Sequence, residues 1–238
     1  MVPPKQNYQA IINQLVNNQQ HYNNDWIDFV EVQEIPAREY FGAAMWQQSK
    51  AIESPYKSSV KLLILEIYAR NAATTGLLSY QYKSLVYDGI EDSEKLDPYL
   101  MVLEYAEIFL KDNPQRLEFL RRAFYLKTGV KINLEVSNKN WRYQQMLILV
   151  KRWQWVQTRL DYLNNRPNWK INTVIKERND VIRELTHSYH FLSNFARIEG
   201  VYDESNQKDL TSLGRKLHAV FERKSGKIDR VNNGIARD

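Results

Sequence analysis

Apolar side chains recur every three or four residues along most of the 238-residue chain, with polar side chains between them. Over about residues 6–20, for example, Tyr8, Ile11 and Leu15 share one face of a helix. Only 8 Gly and 7 Pro interrupt this spacing. The pattern predicts an all-α protein, a bundle of several helices, with residues 130–136 as the only candidate strand.

Capping side chains followed by proline mark several helix starts. Ser54-Pro55, Asp97-Pro98 and Asn113-Pro114 each place an oxygen acceptor before the first helical residue. Gly129 is expected to end a helix in the left-handed conformation, and Ser137 is the candidate cap of the next one. These and weaker signals predict helices over about residues 36–51, 55–70, 80–87, 114–128, 155–164, 169–198 and 207–224, with two more that begin at 98 and 137.

Two regions differ in composition along the chain. Residues 1–35 form a predicted helix followed by an Asn- and Gln-rich polar loop, whereas residues 36–238 form one continuous helical region. Within the second region, residues 129–137 are a candidate seam between subdomains. A chain of this length buries roughly 70% of its unfolded surface, which is enough for a core of its own.

Composition excludes several classes of function. The chain has no Cys, so it has no disulfide framework, thiolate zinc site or cysteine nucleophile. Its longest apolar runs are far shorter than the roughly 20 residues that a spanning helix needs. Its first residues lack the pattern of a secretory signal, so we expect no membrane span and a cytoplasmic location. A net charge of +5 favours anionic partners.

Common catalytic motifs are missing from the sequence. It contains no phosphate-binding loop, dinucleotide fingerprint, nucleophile elbow or zinc-protease motif, so we expect no catalytic residue and no metal site in this chain. Two weaker patterns lie on the helix predicted over 169–198. His187 and His190 share a helical face and are a candidate pair of metal ligands. Arg183 and His190 have a spacing that resembles small ribonucleases of the HEPN type. An ordinary surface or half-buried histidine pair explains both patterns more simply.

A basic stretch covers residues 139–183, with ten Lys or Arg against three Asp or Glu. One interpretation is a stand-alone nucleic-acid-binding domain, with aromatic rings as stacking platforms for single strands. The other places the rings in the core and the basic side chains in solvent, and one aromatic every few residues favours it. The interleaved aromatic residues are Trp141, Tyr143, Trp153, Trp155, Tyr162 and Trp169.

Residues 39–61 contain the most unusual local pattern. Gly42 lies within an apolar helix, where Gly costs close to ~1 kcal/mol relative to Ala, so we expect another backbone to approach it closely. Lys50, Lys57 and Lys61 cluster about the helix start at Pro55, where free N–H groups favour a phosphate. The cluster predicts a corner that holds a triphosphate. A tight helix pair with solvated lysines is the alternative.

The same stretch carries a family resemblance. Glu39, Tyr40, Phe41 and Gly42, followed by Trp46 and Lys50, resemble the signature of class I adenylate cyclases, the enterobacterial type. The resemblance extends over about residues 1–232, and Met45, Gln48 and Ser49 depart from the signature. Further matching blocks follow in the family's order: Ser54-Pro-Tyr-Lys57, Leu96-Asp-Pro-Tyr99, Phe124-Tyr-Leu-Lys127, Asn168-Trp-Lys-Ile171, Phe195-Ala-Arg197 and Arg215-Lys-Leu217.

This resemblance implies a magnesium-dependent lyase that converts ATP to cyclic AMP and pyrophosphate on a nucleotidyltransferase core of the polymerase-β kind. The family's Gly-Ser and Asp-x-Asp elements precede the matching region and are missing here. The chain then corresponds to the helical half of the catalytic domain, which closes the nucleotide cleft and is inactive alone. Carboxylates outside this chain would bind Mg²⁺ in the complete enzyme.

The resemblance also implies partners and binding residues. The partners are ATP and two parts of the same polypeptide, an upstream catalytic sheet and a downstream regulatory region, whereas nucleic acid is not expected. By analogy with polymerase-β relatives, Ser54 and Lys57 are expected to contact the ATP phosphates, with Lys50 and Lys61 behind them.

Overall fold

The computed structural model describes residues 35–71, 77–136, 140–201 and 203–221. These residues form nine α-helices and one short 3₁₀ turn at Arg166–Asn168, with no strand among them, so the all-α prediction is confirmed for the described residues. The predicted helix over 6–20, and nearly all of the predicted region 1–35, lie outside them. The helices are α1 (Ala37–Lys50), α2 (Pro55–Asn71), α3 (Leu78–Tyr87), α4 (Pro98–Phe109), α5 (Pro114–Thr128), α6 (Trp141–Arg152), α7 (Gln157–Asn164), α8 (Ile171–Ile198) and α9 (Glu204–Phe221).

Local capping chemistry sets several of these bounds. The Asp97 carboxylate accepts hydrogen bonds from the first free N–H groups of α4, at 2.7 and 3.0 Å. The Asn113 side chain does the same for α5, and Gly129 ends α5 with a φ of +66°. Ser137, the predicted cap of the next helix, lies outside the described residues. Asn140 caps α6, because its side-chain oxygen accepts from two N–H groups of the first turn.

The predicted strand over 130–136 is wrong. This segment is an irregular connection, because no other strand lies in the described part of the chain to pair with it. Side chains of α5, α6 and α7 take the place of a neighbouring strand and satisfy its backbone N–H groups. The pairs are Ile132 N–H to the Tyr125 hydroxyl at 2.9 Å, Asn133 N–H to the Tyr143 hydroxyl at 3.1 Å, and Leu134 N–H to the side-chain amide oxygen of Gln157 at 2.8 Å.

Helix α2 lies at the centre of the bundle and packs against α1, α4, α5 and α8. Its sequence is apolar on most sides, which is typical of a helix surrounded by others, and Leu63 and Ile67 are almost fully buried. One buried apolar cluster extends from Phe41 on α1 to Phe221 on α9. The subdomain seam near 129–137 stays a prediction.

A buried ion network joins three of the central helices. Arg116 on α5 donates to Glu66 on α2 at 2.8 Å and to Glu184 on α8 at 2.5 Å, and the Glu66 side chain is only 1% exposed. Burial acts to raise the pKa of Glu66, but the Arg116 guanidinium and His187 outweigh it and hold that pKa below its ordinary value. Ionised Glu66 therefore stabilises the fold above its unfolded pKa, and this contribution is lost as the pH falls through the depressed value.

We expect Arg116→Met to lower the free energy of unfolding by about 3–5 kcal/mol, because it leaves buried Glu184 without its arginine and leaves Glu66 with Arg70 and His187. Urea unfolding at pH 7 measures the change. Arg38→Met is the matched control, since Arg38 pairs with Asp203 at 3.3 Å on the surface and such a pair contributes less than about 1 kcal/mol. Equal losses for the two variants would contradict the central role of Arg116.

Candidate functional site

The start of α2 presents two lysines to solvent. Lys57 and Lys61 are four residues apart, so they share one face of the helix, and both are exposed. Ser54 is also exposed and precedes the helix, with Pro55 as its first residue. The structure thus brings together three of the four predicted phosphate-binding residues at one helix start.

A buried hydrogen-bond network anchors this helix start to the core. The Tyr56 hydroxyl, next to Lys57, donates to Glu177 on α8 at 3.3 Å. The same Glu177 carboxylate, which is fully buried, accepts from Arg122 at 2.9 Å and from the Tyr162 hydroxyl at 2.7 Å. Burial first, and then the Glu177 charge, raises the pKa of Tyr56, so its hydroxyl remains a donor. Tyr56 fixes the helix from inside while Lys57 points outward.

A third lysine, which the sequence analysis did not select, lies close to this pair. Lys127 belongs to the last turn of α5, and its Nζ is 3.6 Å from the centroid of the Tyr99 ring. Burial, followed by the charges of Lys57 and Lys61, lowers the pKa of Lys127 to about 8, although Asp97 acts in the opposite direction. Three amines therefore repel one another here, and a bound polyanion would relieve that repulsion.

A cavity of about 490 Å³ lies between α2, α4, α5 and α6, and its lining includes Lys57, Tyr99, Lys127, Trp141 and Arg142. Its volume is in the usual range for small-molecule sites. Tyr99 is 58% exposed and Trp141 is 41% exposed, so both rings are accessible. Three of the sequence blocks that carry the family resemblance meet at this cavity, because they contain Lys57, Tyr99 and Lys127.

Lys50 lies apart from the cavity lining. Its Nζ is 3.4 Å from a carboxylate oxygen of Glu53 and 5.2 Å from the centroid of the Trp46 ring. Both contacts are local to the end of α1. The structure therefore separates Lys50 from the cavity that Lys57 and Lys127 line.

The signature residues of α1 divide between two faces of the helix. Tyr40 and Phe41 are buried in the core, whereas Glu39 and Gly42 are exposed and Trp46 is 60% exposed. The expected close approach of a backbone at Gly42 is wrong for the described residues, since a Cβ added there would meet no atom within 4 Å. The exposed signature residues thus form a surface rather than a packed contact.

Most of the basic stretch follows the core interpretation, and Trp141, which is 41% exposed, is the exception. Tyr143, Trp153 and Trp155 are buried, so they offer no stacking platform. Several of the basic side chains pair with acids: Arg152 with Glu107 at 2.9 Å, Arg159 with Glu118 at 2.5 Å, and Arg183 with Asp180 at 3.1 Å. This arrangement does not favour the nucleic-acid-binding alternative, nor the ribonuclease interpretation that depends on Arg183.

The described residues do not fit a metal site. They contain no group of three or more His, Asp or Glu side chains arranged to hold a metal ion. Glu66, Glu177 and Glu184 are buried, and each accepts hydrogen bonds from an arginine. His187 lies 3.2 Å from Glu66 and takes part in the ion network. The magnesium ions that the family resemblance implies therefore find no carboxylate cluster in this part of the chain.

These features define an all-helical domain with a cationic, aromatic-walled cavity. The family model described as adenylate cyclase, class-I, second domain, matches residues 35–232. The chain therefore belongs to the class-I adenylate cyclase family.

Curated relatives support the same family. An adenylate cyclase of Pasteurella multocida is 37% identical over 99% of this chain and 29% of its own length. Adenylate cyclases of Salmonella typhimurium and Escherichia coli K12 are 39% and 38% identical, over 90% of this chain and 26% of their own lengths. The chain thus spans between about a quarter and a third of these proteins. No solved structure matches it, and none of its described helices is both long and apolar enough to cross a membrane.

We expect Gly42→Ala to raise the free energy of unfolding by about 0.5–1 kcal/mol, because Ala favours the helix and the position is open. Thermal unfolding of the 238-residue chain measures this change. Gly214→Ala on α9 is the matched comparison, since its Cβ would lie 2.8 Å from the Tyr189 hydroxyl and would force that ring to move. A loss of stability in Gly42→Ala would restore the idea of a close contact there.

Proposed function

We propose that this chain is the helical, cleft-closing part of an adenylate cyclase that converts ATP to 3′,5′-cyclic AMP and pyrophosphate. Family membership supports the reaction. The observation that carries the role of this segment is the convergence of Lys57, Lys61 and Lys127 beside an open cavity. Clustered ammonium groups that outnumber the one acid, Asp97, among the described lining residues suit a triphosphate better than a neutral ligand.

The chemistry requires cations at the leaving group. The ribose 3′-oxygen attacks the α-phosphorus and gives its proton to a base. The bond from that phosphorus to the oxygen bridging the α- and β-phosphates breaks, and pyrophosphate leaves. Lys57 and Lys61 stabilise the charge that grows on this leaving group. The Ser54 hydroxyl and the N–H groups of the first turn of α2 add hydrogen bonds to the same phosphates. The role predicted for Lys50 behind these residues stays a prediction, since its two contacts are local to the end of α1.

The magnesium site lies outside this chain in our proposal. Carboxylates elsewhere in the complete polypeptide bind Mg²⁺, so the 238-residue chain alone has no cyclase activity. Reading the coding DNA upstream of Met1 in the same frame tests this directly. An open frame that supplies the Gly-Ser and Asp-x-Asp elements supports the proposal, and a stop codon without them contradicts it. The cytoplasmic location remains a prediction.

Lys57→Met in the complete polypeptide is expected to lower kcat/KM for ATP by about 30- to 1,000-fold, which corresponds to about 2–4 kcal/mol of transition-state stabilisation. Cyclic AMP formation over a range of ATP concentrations provides the measurement. Lys111→Met is the control, because Lys111 is also exposed but follows the opposite end of α4 from the cavity. An unchanged kcat/KM in Lys57→Met would remove Lys57 from the site.

The exposed face of α1, formed by Glu39, Gly42 and Trp46, is the surface that contacts the upstream catalytic sheet. We expect Trp46→Ala to reduce cyclase activity of the complete polypeptide while the stability of the 238-residue chain changes by less than about 0.5 kcal/mol, because Trp46 is exposed here. Phe41→Ala is the contrasting variant, since truncation of this buried ring costs about 3–5 kcal/mol in the chain itself. Full activity of Trp46→Ala would rule out this contact surface.

A further inference from the structure

We propose that the cavity between α2, α4, α5 and α6 is a binding site for a condensed-phosphate chain, and that Lys127 and Arg142 hold this chain together with Lys57. The ligand is ATP or the pyrophosphate released from it, which share this chemistry. The inference rests on the proposed function and extends its phosphate site to Lys127 on α5 and Arg142 on α6, which the sequence analysis did not select as phosphate ligands. A condensed phosphate binds this part of the site in the 238-residue chain alone.

The lining of the cavity is mainly basic. Lys57, Lys127 and Arg142 all line the cavity, and Lys61 is close enough to act on the charge of Lys127. Among the described residues of the lining, Asp97 is the one acid. Its carboxylate oxygen accepts from two backbone N–H groups at the start of α4, at 2.7 and 3.0 Å. The cavity therefore has an excess of positive charge that a polyanion would neutralise.

Two aromatic rings position Lys127 at the cavity. Its Nζ lies 3.6 Å from the centroid of the Tyr99 ring and 5.8 Å from that of Phe124. An aromatic face attracts an ammonium group without neutralising it, so the three N–H donors keep their capacity for an anion. Within the described residues, no carboxylate forms a salt bridge with Lys127. The side chain is positioned and its charge remains available.

The amines of Lys57, Lys61 and Lys127 are electrostatically coupled. Burial and the charges of Lys57 and Lys61 lower the pKa of Lys127 to about 8, against the opposing effect of Asp97. An anion bound among these groups favours the charged form of Lys127 and so raises its pKa. Binding near pH 8 therefore takes up a proton, and affinity falls as the pH rises above that range.

Isothermal titration calorimetry of the 238-residue chain tests the site without any cyclase assay. The probes are ATP, pyrophosphate, inorganic tripolyphosphate and adenosine, each in EDTA so that no metal bridges ligand and protein. We expect the three condensed phosphates to bind and adenosine not to bind. Lys127→Met and Arg142→Met are each expected to weaken binding by at least about tenfold, as for one lost charge-assisted hydrogen bond. Lys111→Met should bind as the unsubstituted chain does.

Two further readouts separate a binding role from a structural one. Arg142 is exposed, so Arg142→Met keeps the test valid even where Lys127→Met disturbs folding. Between pH 7.5 and 9, where the terminal phosphate of ATP is already ionised, the affinity of the unsubstituted chain for ATP should fall. The affinity of Lys127→Met should stay constant over this range.

The outcomes are distinct from those of the cyclase experiments. A lower Kd for ATP than for pyrophosphate assigns the cavity to the substrate, and the reverse order assigns it to the product. No binding of condensed phosphate, or binding that neither variant weakens, overturns the inference. Loss of cyclase activity in Lys57→Met together with either of these results would leave the proposed function standing and reject only this cavity.

Discussion

Buried carboxylates on two helices depend on arginines from a third. Glu66 of α2 and Glu184 of α8 share Arg116, and Glu177 of α8 pairs with Arg122, which lies further along α5. A carboxylate left unpaired in the interior costs several kcal/mol, so the three helices have one acceptable axial register. Apolar packing alone would tolerate small shifts along the helix axes, whereas these ion pairs do not.

That register determines what faces outward. Because Tyr56 reaches Glu177, the first turn of α2 is held against α8, and Lys57 projects from the opposite side. The same docking of α5 carries its last turn to the start of α4, where Lys127 meets the ring of Tyr99. The position of the cationic cavity thus depends on the buried charges.

Sequence reasoning succeeded where the cause was local. Asp97 and Asn113 cap helices through contacts within three residues, so their helix starts were predictable. The strand prediction for 130–136 was wrong because alternating apolar residues are a local pattern, while a strand also needs a partner strand. The close contact predicted at Gly42 was wrong because the sequence of one helix does not show which element lies opposite it. Lys127 was missed because its importance arises only when the end of α5 meets α2 and α4, which no spacing along the chain reveals.

The adjacency of Tyr56 and Lys57 limits how this protein moves. Lys57 follows directly after a residue whose ring is buried and whose hydroxyl is bonded to the interior. Lys57 belongs to the first turn of α2 and not to a loop. Any displacement of its backbone therefore also displaces α2, α5 and α8. The three helices therefore move as one body, and any hinge lies beyond them.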